Sequence, residues 1–332
     1  MLRRTSLKIL GGATLLGGLG VTGRARAAEV IKIGTLAPKS SPWGKVCETW
    51  VKAVGEKSGG QLELQFFYNG TQGDEDAMIG KIKSGQLEGA LVTGIGLGKV
   101  YKPILALQLP GLFTSWSKLD KARDAMKAEF EKGAKDAGFF IAGWGDVGLV
   151  RFFSKGFAVK VPDDLKGKKP AYVRADANLP ALLAAIGGVS GVPLNVPEFL
   201  PNLNTGAINV VRAPCLVTEQ LQWAGKLDNL DDMVSGVAIG AVVLSSKRVD
   251  ALSPDLKAIL VDTAKIAASA LTTKIRSEDD AAFGRLKAKM SVTTPSADDK
   301  AKWDLLCKQA RQKLSQGTFS SELVTKLEGY AK

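Results

Sequence analysis

The sequence predicts an α/β protein of two lobes, each a mixed sheet flanked by helices, with one long helix lying across both. Three observations carry this. Strand-like and helix-like segments alternate through the first half, the alternation restarts in the second, and a helical pattern then runs from Ser253-Pro254 to about Met290. The 332 residues fit two domains of about 150 each.

Each element has a local reason. "VIKIGTL" is β-branched and alternating, a strand ending near Leu36, and "APKSSPW" is a loop. A helix from about Trp43 to Glu56 places Val46, Trp50, Val51 and Val54 at helical spacing. "GGQLELQFFY" is a second strand, "NGTQGDED" opens a helix whose first-turn acids suit the helix dipole, and "EGALVTG" is a third strand. The second unit reads "GFFIAGWG" and "LVRFFSK" as strands, "VPDDLKG" as a connector and "LPALLAAIG" as a helix. A strand "VSGVPL", a helix "PEFLPNLNTG" ended by Gly206 and a strand "INVVRAP" complete it. Ser253 is a natural N-cap and Pro254 a natural first helical residue. The helix they start would be roughly 55 Å long, too long for one small lobe. Two further helices, "WDLLCKQARQKLSQG" and "SSELVTKLEGYAK", close the chain. The expected division is residues 29–151 with about 240–272 in the first lobe, and 152–239 with about 273–332 in the second.

Composition narrows function. The net charge is +12, but residues 1–28 hold five Lys/Arg and no acid. Without them 40 basic residues face 33 acidic ones, a surplus of +7 spread along the chain. That is a solvated basic surface, not a nucleic-acid footprint. The chain has no histidine, which excludes a Ser-His-Asp triad and any histidine-ligated zinc; no metal or cofactor is expected. Cys47, Cys215 and Cys307 are too far apart for a CxxC motif and read as small buried hydrophobes, with one long-range disulfide left open.

Residues 1–28 have a basic start, a short Gly/Ala/Leu-rich middle and an "ARA" end at Ala25-Arg26-Ala27, the layout of a secretory signal. Arg3-Arg4 followed by Leu7-Lys8 resembles a twin-arginine signal, so the expected destination is the periplasm. No other apolar stretch reaches about twenty residues.

Two motifs mislead. "GIGLGK", Gly94 to Lys99, has three residues where a Walker loop needs four, and Val100 follows; it reads as a tight strand-end turn facing the cleft. "SWSK", Ser115 to Lys118, fits SxxK but lacks the SDN and KTG companions of a Ser-Lys hydrolase. An exported hydrolase using Ser115 and Lys118 is therefore a remote reading.

The stretch "GEKSGGQLELQFFYNGTQGDEDAMIGKIKSGQLEGALVTG" resembles the binding protein of tripartite ATP-independent periplasmic (TRAP) transporters, the DctP-like family. "LQLPGLF" is similar to its "LPYLF" segment, "VPDDLKGKKP" to "DLKGLKIR", and "LNTGAINVVRAP" to "LQTGVVDGQENP". The likeness covers nearly the whole mature chain. It implies a type II-like periplasmic binding protein whose lobes close on a solute and deliver it to a membrane permease. "TLAPKSSPW", "VTGIGLG" and "WGDVG" are similar to a branch associated with hydrophobic ligands, for which a tetratricopeptide-repeat lipoprotein partner is implied.

By that resemblance, the arginine that pairs with a ligand carboxylate falls on Ala171, and a supporting asparagine on Ala213. A carboxylate buried without partners would cost several kcal/mol, so a hydrophobic or neutral, lipid-like solute is expected. Trp43, Gly94, Trp144, Tyr172, Val173, Val211 and Pro214 lie at predicted cleft-facing strand ends or loops. Trp43 and Trp144 are equally at home as ordinary core packing. Arg174 and Arg212 are expected at the cleft rim, because a buried unpaired arginine is costly. If either turns inward, an organic acid with an apolar body becomes the better ligand.

Overall fold

The computed structural model describes residues 28–332; the export signal read at Arg3-Arg4 and Ala25–Ala27 lies outside the described residues. The first lobe opens with β1 (Glu29–Thr35), α1 (Pro42–Lys57), β2 (Leu62–Phe67), α2 (Glu75–Ser84) and β3 (Gly89–Thr93). β1 runs between β2 and β3, parallel to both. The Ser41 hydroxyl accepts from the Gly44 N–H to cap α1, which buries Cys47, Trp50 and Val54 against the sheet. Asp74 caps α2, and Gly85 ends it in the left-handed conformation (φ 76°).

The segment after β3, expected as a tight turn, is a helix, α3 (Gly94–Val100). Glu75 accounts for this. Instead of facing water in the first turn of α2, its carboxylate turns inward and accepts from the Thr93 and Gly96 N–H groups, pinning the first turn of α3. A 3-10 turn (Lys102–Gln108) and α4 (Trp116–Asp136) follow.

β4 (Phe139–Ser154) is one strand of 16 residues where two were expected. The second lobe hangs from its far half: β5 (Ala171–Val173), α5 (Asn178–Ile186), β6 (Val192–Leu194), α6 (Phe199–Thr205), β7 (Val210–Pro214), α7 (Cys215–Gln220) and β8 (Asn229–Asp231). The chain returns through β9 (Gly236–Ser245), α8 (Ser246–Asp250), α9 (Pro254–Lys287), β10 (Ser291–Thr293), α10 (Ala297–Leu314) and α11 (Ser321–Tyr330). β9 runs antiparallel to β4 from Ser245 to Gly236, with β3 on its other side in the first lobe. Beyond it β4 pairs with β7 and β8. The sheet is therefore continuous from one lobe into the other. Register shifts between Ile141 and Gly143 and between Asp146 and Gly148 bend it at the crossing, as extra residues in a strand do.

α9 has 34 residues, roughly 50 Å, and is capped by the Ser253 hydroxyl. It lies along β4 so closely that a Cβ on Gly143 would sit 2.4 Å from that of Ala268. One tertiary placement departs from expectation. α10 packs on α5 in the second lobe, but α11 returns to α4 in the first, adding Leu323, Val324 and Leu327 to its core. These are the apolar positions of α11, and the open face they fill is on the first lobe.

Candidate functional site

A cavity of about 240 Å3 lies where the lobes meet. The first lobe contributes the loop after β1 (Leu36, Pro38), Trp43 from the start of α1, the β3–α3 junction (Thr93, Ile95) and Gln108. The second contributes β5, the end of β7, Phe199 and Trp223; β4 and α9 form the wall between. Phe199 and Trp223 stack with ring centroids 4.8 Å apart. The bulge at Val147 brings Gly145, Asp146 and Val147 all onto the wall, which unbroken alternation would not do.

Of the residues expected at the cleft, Trp43, Ala171, Tyr172, Val173, Arg212, Ala213 and Pro214 line this cavity. Ala171 and Ala213 are nearly fully buried. Four expectations need correction: Val211, Trp144, Gly94 and Arg212. Val211 is fully buried in the core and does not reach the cavity wall. Trp144 points the other way: its strand neighbours Gly143 and Gly145 take the cavity side, so its ring packs near Phe130 of α4 and its Nε1 donates to Glu131 at 2.9 Å. Gly94 is covered by Gln108. A Cβ there would lie 2.1 Å from Gln108 Oε1, so Gly94 makes room for a wall residue without being one. Arg174 is at the rim, as expected: it lies outside the inner cavity, beside a second one, in a 3.7 Å pair with Glu198 and 57% exposed.

Arg212 is not at the rim but in the wall. The expected cost of burying it is reduced because Ser235 accepts twice, from Nε through its hydroxyl at 3.0 Å and from Nη2 through its carbonyl at 2.8 Å. Gly236 lets the guanidinium lie against the backbone, since a Cβ there would come within 2.5 Å of Nη2. Burial lowers the Arg212 pKa, with the Asp176 charge opposing, yet no ion pair to Arg212 forms among the described residues. An arginine does not shed its proton, so this is a desolvated cation short of an anion.

Sequence reasoning missed several wall residues. Asp176 accepts from the N–H groups of Asn178 (2.8 Å) and Leu179 (3.3 Å) at the start of α5. Burial pushes its carboxyl above the usual range, while those N–H groups and Arg212 pull it back. Its one sequence signal was its place three residues after a strand whose carboxyl end was expected at the cleft. Gln108 accepts from the Ile239 N–H at 3.0 Å, leaving its Nε2 as a donor. Phe199 sits in a segment read only as a helix, and the stretch holding Trp223 was not assigned to any element.

The Ser115–Lys118 pair does not assemble. Ser115 Oγ lies 3.4 Å from Ser117 Oγ, and Lys118 Nζ donates to the Ala331 carbonyl. All three cysteines are free, and burial pushes the thiols of Cys47 and Cys215 up to about 12 and that of Cys307 to about 11.

Two α/β lobes sharing crossing strands and enclosing a buried, mostly apolar cavity define a solute-binding protein. The chain belongs to the DctP family, bacterial extracellular solute-binding protein family 7, whose profile matches residues 33–317. Members are receptors outside the cytoplasm, not enzymes, and the family implies a small-molecule solute and a TRAP permease as partners. The 2,3-diketo-L-gulonate-binding periplasmic protein YiaO of Escherichia coli is 26% identical over 299 residues, covering 86% of this chain and 87% of that protein. Among solved structures, a TRAP periplasmic solute-binding protein from Sulfurospirillum deleyianum with bound succinate superposes at a TM-score of 0.85. It is 18% identical and covers 92% of this chain and all of the other. The sugar acid binding protein DctPAm from Advenella mimigardefordensis, in complex with galactonate, superposes at 0.86 with 18% identity, covering 92% and 98%. At such identities the structural likeness concerns the fold.

Proposed function

We propose that the protein is the extracytoplasmic receptor of a TRAP transporter for an organic acid with a largely apolar body, with Arg212 as the carboxylate partner. One observation carries this: among the described residues, Arg212 is the only basic one on the cavity wall, and it has no acidic ion-pair partner there. A carboxylate meeting it would form charge-assisted hydrogen bonds in a water-poor site. The relatives' names support the reading, since they specify a diketo acid, succinate and galactonate for those proteins. Leu36, Trp43, Phe199 and Trp223 would cover the rest of the ligand.

A neutral, lipid-like solute is the second reading, favoured by Ala171 and Ala213 and the apolar wall. It would leave Arg212, half-buried in the wall, without a counter-charge, which weighs against it. The tetratricopeptide-repeat lipoprotein belongs to that reading. In either case the solute passes to the permease, after export by the route that Arg3-Arg4 signals.

Titration calorimetry on the mature protein separates the two, using a branched aliphatic acid and its neutral amide. The acid is expected to bind and the amide to fail. Arg212→Met should weaken the acid by about 100-fold, the range for removing one member of a buried charge pair. Equal binding of acid and amide, unaffected by Arg212→Met, would overturn the proposal.

A further inference from the structure

Three carboxylates line the cavity: Glu75, Asp146 and Asp176. Two are already occupied. Glu75 accepts from the Thr93 N–H and hydroxyl and from the Gly96 N–H. Asp146 is held by Arg123 at 2.6 Å and by Arg276 at 2.6 to 2.7 Å. Asp176 differs, because each of its oxygens accepts one backbone N–H and no ion pair reaches it among the described residues. About half of its roughly four acceptor positions therefore stay open. Arg212 lines the same cavity, and its charge pulls against the upward push of burial on the Asp176 carboxyl.

We infer that Asp176 is a specificity-determining residue, selecting monocarboxylates with a hydrogen-bond donor, hydroxyl or ammonium, on the carbon beside the carboxyl. This rests on Arg212 as the carboxylate partner. An acid seated on Arg212 holds the substituent of its second carbon inside the cavity that Asp176 also lines, and of the three wall carboxylates Asp176 is the one with acceptor positions left open. A donor there meets an open carboxylate lone pair in a charge-assisted bond. A keto oxygen there sets acceptor against acceptor and leaves both desolvated and unpaired. A second carboxylate on the ligand finds no second cation on the wall and is repelled by Asp176.

The experiment uses the full mature chain and titration calorimetry with four probes sharing one skeleton: 4-methylpentanoate with a 2-hydroxy, 2-amino or 2-oxo group, or unsubstituted. The hydroxy or amino acid should bind about 10-fold or more tighter than the oxo acid, in keeping with what an unpaired buried polar group costs. Asp176→Asn, whose Nδ2 donates to a keto oxygen while Oδ1 still caps α5, should narrow or invert that ratio. Which donor binds tighter tells hydroxy acid from amino acid. An oxo acid bound as tightly as the donor-bearing acids overturns the inference, and that comparison needs no variant. So does a ratio unchanged in a folded Asp176→Asn protein, with melting temperature as the check. If acids bind through Arg212 without donor preference, only the role of Asp176 fails. If no acid binds and Arg212→Met changes nothing, the receptor reading fails with it.

Discussion

At Ala171 and Ala213, where the family resemblance predicts a cation and an amide, the wall carries methyl groups; the cation stands one residue before Ala213. From the sequence, Arg174 and Arg212 were equal candidates, both expected at the cleft rim. What separates them is tertiary: Ser235, just before β9, and Gly236, its first residue, give Arg212 a seat, whereas Arg174 has only the half-exposed Glu198. No periodicity along β7 could disclose a partner that distant in the chain. The seat is testable at Gly236. Gly236→Ala places a methyl 2.5 Å from Nη2, the end of a flexible side chain, which must then swing aside. We expect acid affinity measured by calorimetry to fall about 10-fold while the melting temperature shifts by only a few degrees. Unchanged affinity would remove Gly236 from the site.

Strand β4 shows most plainly how elements were legible and where they were not. Its apolar and aromatic content marked strand at both ends, with Gly143 and Gly145 inside the first stretch, but Asp146 to Gly148 read as a break. In the structure those glycines fit a continuous strand against α9 and β7. A Cβ on Gly148 would sit 2.4 Å from Pro214 and 2.8 Å from Asp279. β9 went unread because it is apolar almost throughout, with no alternation, as a strand covered on both faces must be. Helices α1, α9 and α11 were readable because their caps and apolar spacing agree. β8 carries a pH-dependent element of the second lobe. Asp231 is buried, its Oδ1 accepts from the Met233 N–H at 3.0 Å, and its Oδ2 has no partner. Burial pushes its carboxyl up to about 7. A folded-state pKa above the unfolded value of 3.8 means stability fully present below pH 3.8 and lost as pH rises through about 7. Asp231→Asn should therefore stabilise the protein by about 1–3 kcal/mol at pH 8 and by much less at pH 4.5. Denaturant melts of both proteins at the two pH values check this, and equal differences at both would refute it.

Across the whole molecule, β4, β9 and α9 hold the lobes in series while side chains hold them face to face. Arg276 of α9 and Arg123 of α4 meet Asp146 of β4 at the crossing, with Asp120 completing the group. Across the cleft itself, Asn178 of α5 donates to the Leu105 carbonyl at 3.1 Å. Parting of the lobes would break that bond and return both groups to water. Asn178→Ala should leave stability nearly unchanged and weaken acid binding by about 5- to 30-fold through faster release, the worth of about 1–2 kcal/mol. Stopped-flow displacement reads it, and an unaltered off-rate would show that the bond does not report closure.

The interleaving of the chain has a practical consequence. Each lobe is assembled from stretches distant in sequence: β3 needs β9, β7 needs β4, and α11 comes back to α4 after α10 has served the other side. No single cut in the gene yields a half that carries its own hydrophobic interior. Expression as two contiguous fragments should therefore produce nothing foldable unless both are present, whereas circular permutants opened at surface turns keep every pairing intact.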